Sequence, residues 1–449
     1  MHLIPNHSRE QELCQAIGID SVDDLFADIP AGLRIDGLDL PDAEPERYLA
    51  SRLRKTLGKN KTYDSMPIFL GGGLKPQHVP AAVRAVIHRQ ELINAYTPYQ
   101  PEVSQGLLQC LFEYQSLMAD ITRMEVVNSS MYDGHTALGE AGLMALRVSP
   151  KRPRFLVPSH LSWQKRSVLE NYGKGPGLLV ESYGYDDATG EADLDDLAAK
   201  LSDDVCGVYL ENPNHFGIFE TQAKAVGEAA KAAGALFVMG VDPTSLGICT
   251  PPGELGADIV VGEASCFGGA PQCGGPLLGL FACTEKLVRK MPGRLIGATK
   301  DESGQRGYVM TLHARAQHIR RSKATSNICS NEALMANMAA MHLTMLGRTG
   351  LREMGLHNLK VGAKLRSILE AAGIQPRFTG ASYNEIVTSV GDADAVHEAL
   401  LASGIHGGLK LGRDVPTLQD CMLWGATPVH SPADFAALES ALAAVEVLA

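Results

Sequence analysis

The chain has 449 residues, 45% hydrophobic and 20% charged, with a formal net charge of -11; this is length enough for a large domain plus a smaller one, in the composition of a globular protein. The acidic balance argues against a nucleic-acid partner, because a phosphate backbone asks for a basic face. There is no run of about 18 apolar residues to cross a membrane, the first residues lack a charged-then-apolar leader, and the nine cysteines are scattered without a CxxC pair. A cytoplasmic protein with reduced thiols and no metal site is therefore expected.

Residues 1–65 read as an N-terminal arm, with helical patterns over 8–17 and 21–26 whose N-caps are Ser8 and Ser21. Irregular chain then follows, broken by Pro30, Pro41 and Pro45. Too little apolar surface is present for the arm to stand alone.

A large domain is predicted over 66–330. It opens with MPIFLGGG at 66–73 and a helix over 79–91, followed by NAYTPYQPEVSQG at 94–106. That stretch has neither helical nor strand periodicity. Its prolines set backbone angles, while Tyr96, Thr97, Tyr99 and Gln100 flank Pro98 with rings and polar tips, the makeup of a rigid binding loop. An amphipathic helix follows over 105–123. Residues 129–146 then start with small polar residues, run through Gly134, His135 and Thr136, and pass into an Ala-rich helix. The free N–H groups at such a helix start bind phosphate well, although Asp133 in the turn would repel it unless turned away.

From residue 154 the chain alternates short apolar runs, at 155–158, 177–181, 205–210, 236–241, 259–261 and 278–283, with helical stretches at 194–201 and 220–233. Continuous apolar runs are the mark of strands covered on both faces, so a mostly parallel sheet is expected. In such sheets ligands sit at the carboxyl ends of the strands. Here those ends are marked by His160, Asn212–Pro213–Asn214, Asp242 and Glu263.

The stretch 235–276 carries the strongest chemical signal. A carboxylate (Asp242) ends one strand, and a Gly-rich turn follows another. In a pyridoxal phosphate (PLP) enzyme of the aspartate aminotransferase type, fold type I, such an Asp would pair with the pyridine nitrogen, and a Lys after the second strand would carry the cofactor as a Schiff base. Residues 262–275 read GEASCFGGAPQCGG and contain no amine. The expected fold is thus an α/β PLP-transferase fold whose own cofactor pocket is vestigial, with Gly134, His135, Thr136, His160 and Asp242 as its remnants.

The basic region at 285–327 includes Arg315, Arg320, Arg321 and Lys323 and could meet an anion. Thr325, Ser326 and Asn327 suit the N-cap of a long helix over 332–346. A small C-terminal α+β domain over 331–449 completes the reading, with helices at 356–372, 393–402 and 432–447 and strands at 385–389 and 421–425.

The segments SVDDLFADIP, FLGGG, AYTPYQPEVSQG, SSMYDGHTALGEA, FVMGVDPTSLG, PPGELGADIVVGE, EKLVRKMPGRLIG and RRSKATSNICSNEAL occur in order along nearly the whole chain. In these the chain resembles the first subunit of two-chain glycine dehydrogenases (decarboxylating, aminomethyl-transferring), the P-protein family of the glycine cleavage system. The resemblance implies an α2β2 assembly in which subunit 2 holds PLP covalently. Glycine then loses CO2 and passes its aminomethyl group to the lipoyl arm of H-protein. Ser265 and Cys266 stand where the catalytic half has its lysine. Tyr96, Thr97, Pro98, Tyr99 and Gln100, with Arg320 and Lys323, would complete the partner's active site. Two alternatives stay open: a stand-alone PLP transferase or lyase using Lys286 or Lys323, and a non-catalytic scaffold.

Overall fold

A computed structural model of the chain describes residues 6–35, 37–62, 65–73, 75–93, 98–272, 274–328 and 331–444. Two compact units emerge, residues 1–62 and 63–449.

In the first unit a 3-10 turn, His7–Arg9, leads into the helix Glu10–Ile17, and a second turn covers Val22–Phe26. Ser21 starts that turn as expected, its N–H donating to Asp24 at 2.9 Å. Ser8, by contrast, lies inside the first turn, and Arg9 takes the N-cap place. The chain after Pro45 is not irregular. Pro45 precedes the helix Glu46–Leu57, because a ring that fixes φ and removes an N–H costs nothing where a helix begins. Leu49, Leu53 and Leu57 recur every fourth residue on that helix and are all exposed.

The second unit is built on seven strands: β1 (Val126–Val127), β2 (Arg154–Pro158), β3 (Leu179–Tyr183), β4 (Val205–Asn212), β5 (Leu236–Val241), β6 (Ile259–Glu263) and β7 (Gly279–Cys283). Their order is β1-β7-β6-β5-β4-β2-β3. The five from β6 to β3 run parallel, and β7 and β1 add an antiparallel edge. Strand alternation sends Leu156, Val208, Leu210, Phe237, Met239 and Val260 into one core and Phe155, Val157, Tyr209, Val238, Ile259 and Val261 into the other. Both faces are thereby buried, which explains the unbroken apolar runs in the sequence. The helix Gly134–Val148 packs in the second core and the helix Gln105–Thr122 in the first.

Beyond this sheet, β8 (Leu295–Lys300) and β9 (Arg306–Thr311) form a hairpin that the sequence did not announce. Its tip, 299–306, is exposed and polar, so no apolar alternation marks it. The helix Ala333–Ala371 unites the two helices expected over 332–346 and 356–372, turning once at Gly347 (φ 57). Thr325, Ser326 and Asn327 do not cap it, since Glu332 holds the N-cap place. Ser326 instead donates its hydroxyl to Glu140 at 2.8 Å. The helix expected over 79–91 is likewise divided, into Ala81–Ile87 and Gln90–Ile93. A three-stranded sheet, β10 (Glu385–Ser389), β12 (Cys421–Gly425) and β11 (Leu409–Lys410), lies over a core of Phe69, Trp424 and Phe435. The cysteines among the described residues are free.

Candidate functional site

Two cavities concern function. The first, about 170 Å3, opens at the carboxyl ends of β4, β5 and β6 and is lined by Gly134, His135, Asp242, Ser265 and Cys266. The structure therefore brings together four elements distant in sequence: a helix start, a strand end, the turn after β6, and the small sheet through Glu385.

Every charge in this cavity has an internal partner. Asp242 accepts from the Thr244 N–H (2.9 Å) and hydroxyl (2.7 Å) and faces Lys75 at 3.6 Å. Lys75 lies 2.7 Å from Glu385 and donates to Asn384 at 3.1 Å. Burial works against its charge, but the Glu385 and Asp242 carboxylates more than offset that and raise the ammonium above the ordinary lysine range. Lys165 is bound to Glu211 in the same way. At the helix start the Asp133 carboxylate accepts the Thr136 N–H at 2.7 Å, an N-cap rather than a free repulsive charge. Burial would raise the Asp133 carboxyl, yet His135 and the Thr136 N–H hold it below its ordinary value. The Glu263 carboxylate accepts three backbone N–H groups, from Gly134 (3.0 Å), Ser265 (3.1 Å) and Leu278 (2.9 Å). Burial pushes its pKa up against those bonds.

The second cavity, about 540 Å3, lies between the basic region and Tyr99. Arg294 donates to the Tyr99 hydroxyl at 2.8 Å and stacks over its ring at 4.6 Å. Arg315 and Arg321 line the same space.

The family model for the glycine cleavage system P-protein matches residues 1–420. The chain is 48% identical over 445 residues to the probable glycine dehydrogenase (decarboxylating) subunit 1 of Pyrococcus abyssi, covering 98% of both chains. With the corresponding protein of Anoxybacillus flavithermus it shares 43% over 424 residues, 94% of each. This chain belongs to the P-protein family of the glycine cleavage system. A crystal structure of glycine decarboxylase (P-protein) in inhibitor-bound form superposes with a TM-score of 0.92 at 39% identity, covering 99% of this chain and 100% of that one. An aspartate aminotransferase of Thermus thermophilus, 15% identical with a TM-score of 0.56 over 84% of this chain and 98% of its own, shares the fold. The chain's role is thus that of a glycine dehydrogenase (decarboxylating) subunit, on the PLP-transferase α/β fold.

Do the residues of this P-protein subunit fit PLP? They do not. The N–H of Gly134 that would meet a phosphate is given to Glu263, the carboxylate that would meet the pyridine nitrogen faces Lys75, and no lysine stands in the turn between β6 and β7. Lys75 and Lys165 do line the cavity, but both are engaged in ion pairs, Lys75 with Glu385 and Lys165 with Glu211, and neither stands in the turn after β6 where the Schiff-base lysine belongs. Lys286 and Lys323 are exposed, away from the cavity, with Lys286 paired to Asp258 at 3.0 Å.

Two of the expected cofactor remnants lie elsewhere. Thr136 turns its hydroxyl back into the Asp133 cap. His160 is 1% exposed and lies outside the cavity lining. It stacks on Phe216 at 4.6 Å, edge-on to Tyr185, because the rings that follow β3 and β4 gather there around Phe378. Tyr96 and Thr97 lie outside the described residues. Pro98 is buried, Tyr99 and Gln100 are exposed, and only Tyr99 of these lines the second cavity. Arg320 and Lys323 are exposed and outside its lining, where Arg294, Arg315 and Arg321 stand instead. The Lys75–Glu385 pair escaped the sequence reading, although the GGG preceding it was a usable signal. Gly72 has φ +76, a Cβ there would meet Leu409 at 2.7 Å, and its N–H donates to Glu385 at 2.6 Å.

Proposed function

We propose that this chain is the non-lysyl half of a two-subunit glycine dehydrogenase (decarboxylating), completing an active site whose PLP lysine lies on subunit 2, in an α2β2 cytoplasmic assembly. The observation that carries the reading is the first cavity: a PLP-type cradle with no amine after β6 and with its phosphate and pyridine positions taken by Glu263 and Lys75. The relatives' designation as subunit 1 supports a second chain. The uncovered Leu49, Leu53 and Leu57 support it too.

In this reading the PLP of the partner supplies the electron sink for loss of CO2 from glycine, and the aminomethyl group leaves on the lipoyl arm of H-protein. The contribution of this chain is positioning and exclusion of water. Tyr99, held by Arg294, and Gln100 present a ring and polar tips, while Arg320 and Lys323 add positive charge at the entrance. Tyr99→Phe removes the acceptor of the Arg294 bond and should lower glycine–bicarbonate carbon exchange by the reconstituted pair about tenfold without dissociating it. The test is co-purification followed by that exchange assay. Exchange is expected from the pair and from neither chain alone. Exchange by this chain alone, or coenzyme held on it as an imine, overturns the proposal.

A further inference from the structure

The two cavities differ in a way that separates a retired site from a working one. The first is neutralised from within, as described. The second holds Arg294, Arg315, Arg321, His313 and His318 around Tyr99, and among the described residues no Asp or Glu lines it. None of those three arginines has a carboxylate within 4.0 Å among the described residues. Arg315 gives one N–H to the Gly293 carbonyl at 3.0 Å. Its Nε is buried with no hydrogen-bond partner among the described residues. A buried guanidinium N–H without an acceptor is costly, and a guanidinium fork is shaped for a carboxylate or phosphate. Burial, joined by Arg147, pulls Arg315 down to about 10. His313 is lowered by burial and by the neighbouring His318, Arg294 and Arg315. Two residues on the cavity wall, Leu312 (φ 55) and Arg321 (φ 51), hold the left-handed backbone that side chains disfavour, strain of the kind that collects where a ligand is held. Met291, Leu295 and Met310 give the space an apolar wall. Its volume exceeds that of a bare oxyanion and falls in the range of organic ligands.

We propose that this cavity is an anion-binding site, with Arg315 as its anchor, for the phosphate or carboxylate group of a small organic ligand or of a group presented by the partner subunit. The guanidinium supplies the paired donors, Arg294 and Arg321 supply the field, and the apolar wall takes the body of the ligand. The site is independent of the vestigial cradle.

The test is calorimetric titration of the full chain with inorganic phosphate, and separately with acetate, at constant ionic strength. Saturable binding at one site by at least one of the two is expected. Arg315→Gln should weaken it about 10- to 100-fold, the worth of charge-assisted hydrogen bonds. Lys174→Gln, an equal charge change at an exposed helix position, should leave it unaltered. Arg315→Lys, which keeps the charge without the fork, should weaken binding less than Arg315→Gln and guards against a folding failure. Absence of saturable binding for both anions overturns the site, as does equal weakening by Arg315→Gln and Lys174→Gln. In the assembly with the partner, anion binding that persists identifies a soluble ligand. Loss of binding, with partner association weakened tenfold or more by Arg315→Gln, identifies an anionic group of the partner. Loss without that weakening counts against the proposal. The titration of the chain alone needs no partner, so its failure leaves the subunit assignment standing.

Discussion

His160 shows how a residue type can mislead about function. A histidine just after a strand invites a cofactor role, yet both of its ring nitrogens are without partners among the described residues, and its plane lies 23° from that of Phe216. It behaves as an aromatic core residue. Burial, with His215 adding to it, lowers its pKa from 6.5 to about 3. Between these values the unfolded chain binds a proton that the folded chain refuses. The stability is therefore full above pH 6.5 and falls with pH toward about 3, by about 1.4 kcal/mol per unit. His160→Phe keeps the stack and removes the proton. Urea unfolding at about pH 7.5 and about pH 5 should show a gain for the variant that grows by about 2 kcal/mol on acidification. A pH-independent difference would place the acid sensitivity elsewhere.

At the scale of elements, Glu263 joins three of them: it ends β6, its carboxylate holds the N-terminus of the helix Gly134–Val148, and it takes the amide of Leu278 just before β7. A carboxylate can accept from all these amides because both oxygens are acceptors. Glu263→Gln substitutes an NH2 for one oxygen and turns a donor toward a donor. A loss of about 1–3 kcal/mol in urea unfolding is expected, and an unchanged midpoint would show that the amides find other acceptors. In the amino-acid order Glu263 marks a strand end, and nothing local there ties it to the start of the helix Gly134–Val148. Asp133 is a like case: whether an acidic residue before a helix caps it or faces a ligand depends on one side-chain rotation, and here it is turned to accept the Thr136 N–H.

On the scale of the molecule, Lys75 ties the carboxyl end of the large sheet to the small one, through Asp242 and Glu385. Because its pKa is raised, the stability it lends is full below the ordinary lysine range and is lost only as pH climbs through the raised value. Lys75→Met leaves two carboxylates without their cation and should cost about 3 kcal/mol in thermal or urea unfolding. Adding Glu385→Gln should restore part of it. No recovery in the double variant would mean that the ion pair is not the source of the loss.

The parallel sheet, the Ala-rich helix at 134–148, the absence of an amine after β6 and the resemblance to P-proteins were all legible in the amino-acid order, because each rests on local periodicity or on residue identity. What filled the empty cradle was not legible. Lys75 meets Asp242 and Glu385, and Glu263 takes the Gly134 N–H, only once the chain has folded, through contacts more than a hundred residues apart in the chain. Among the described residues the same folding leaves no Asp or Glu lining the cavity of Arg315, so the tertiary arrangement alone decided which of the two cavities is closed and which remains open to an anion.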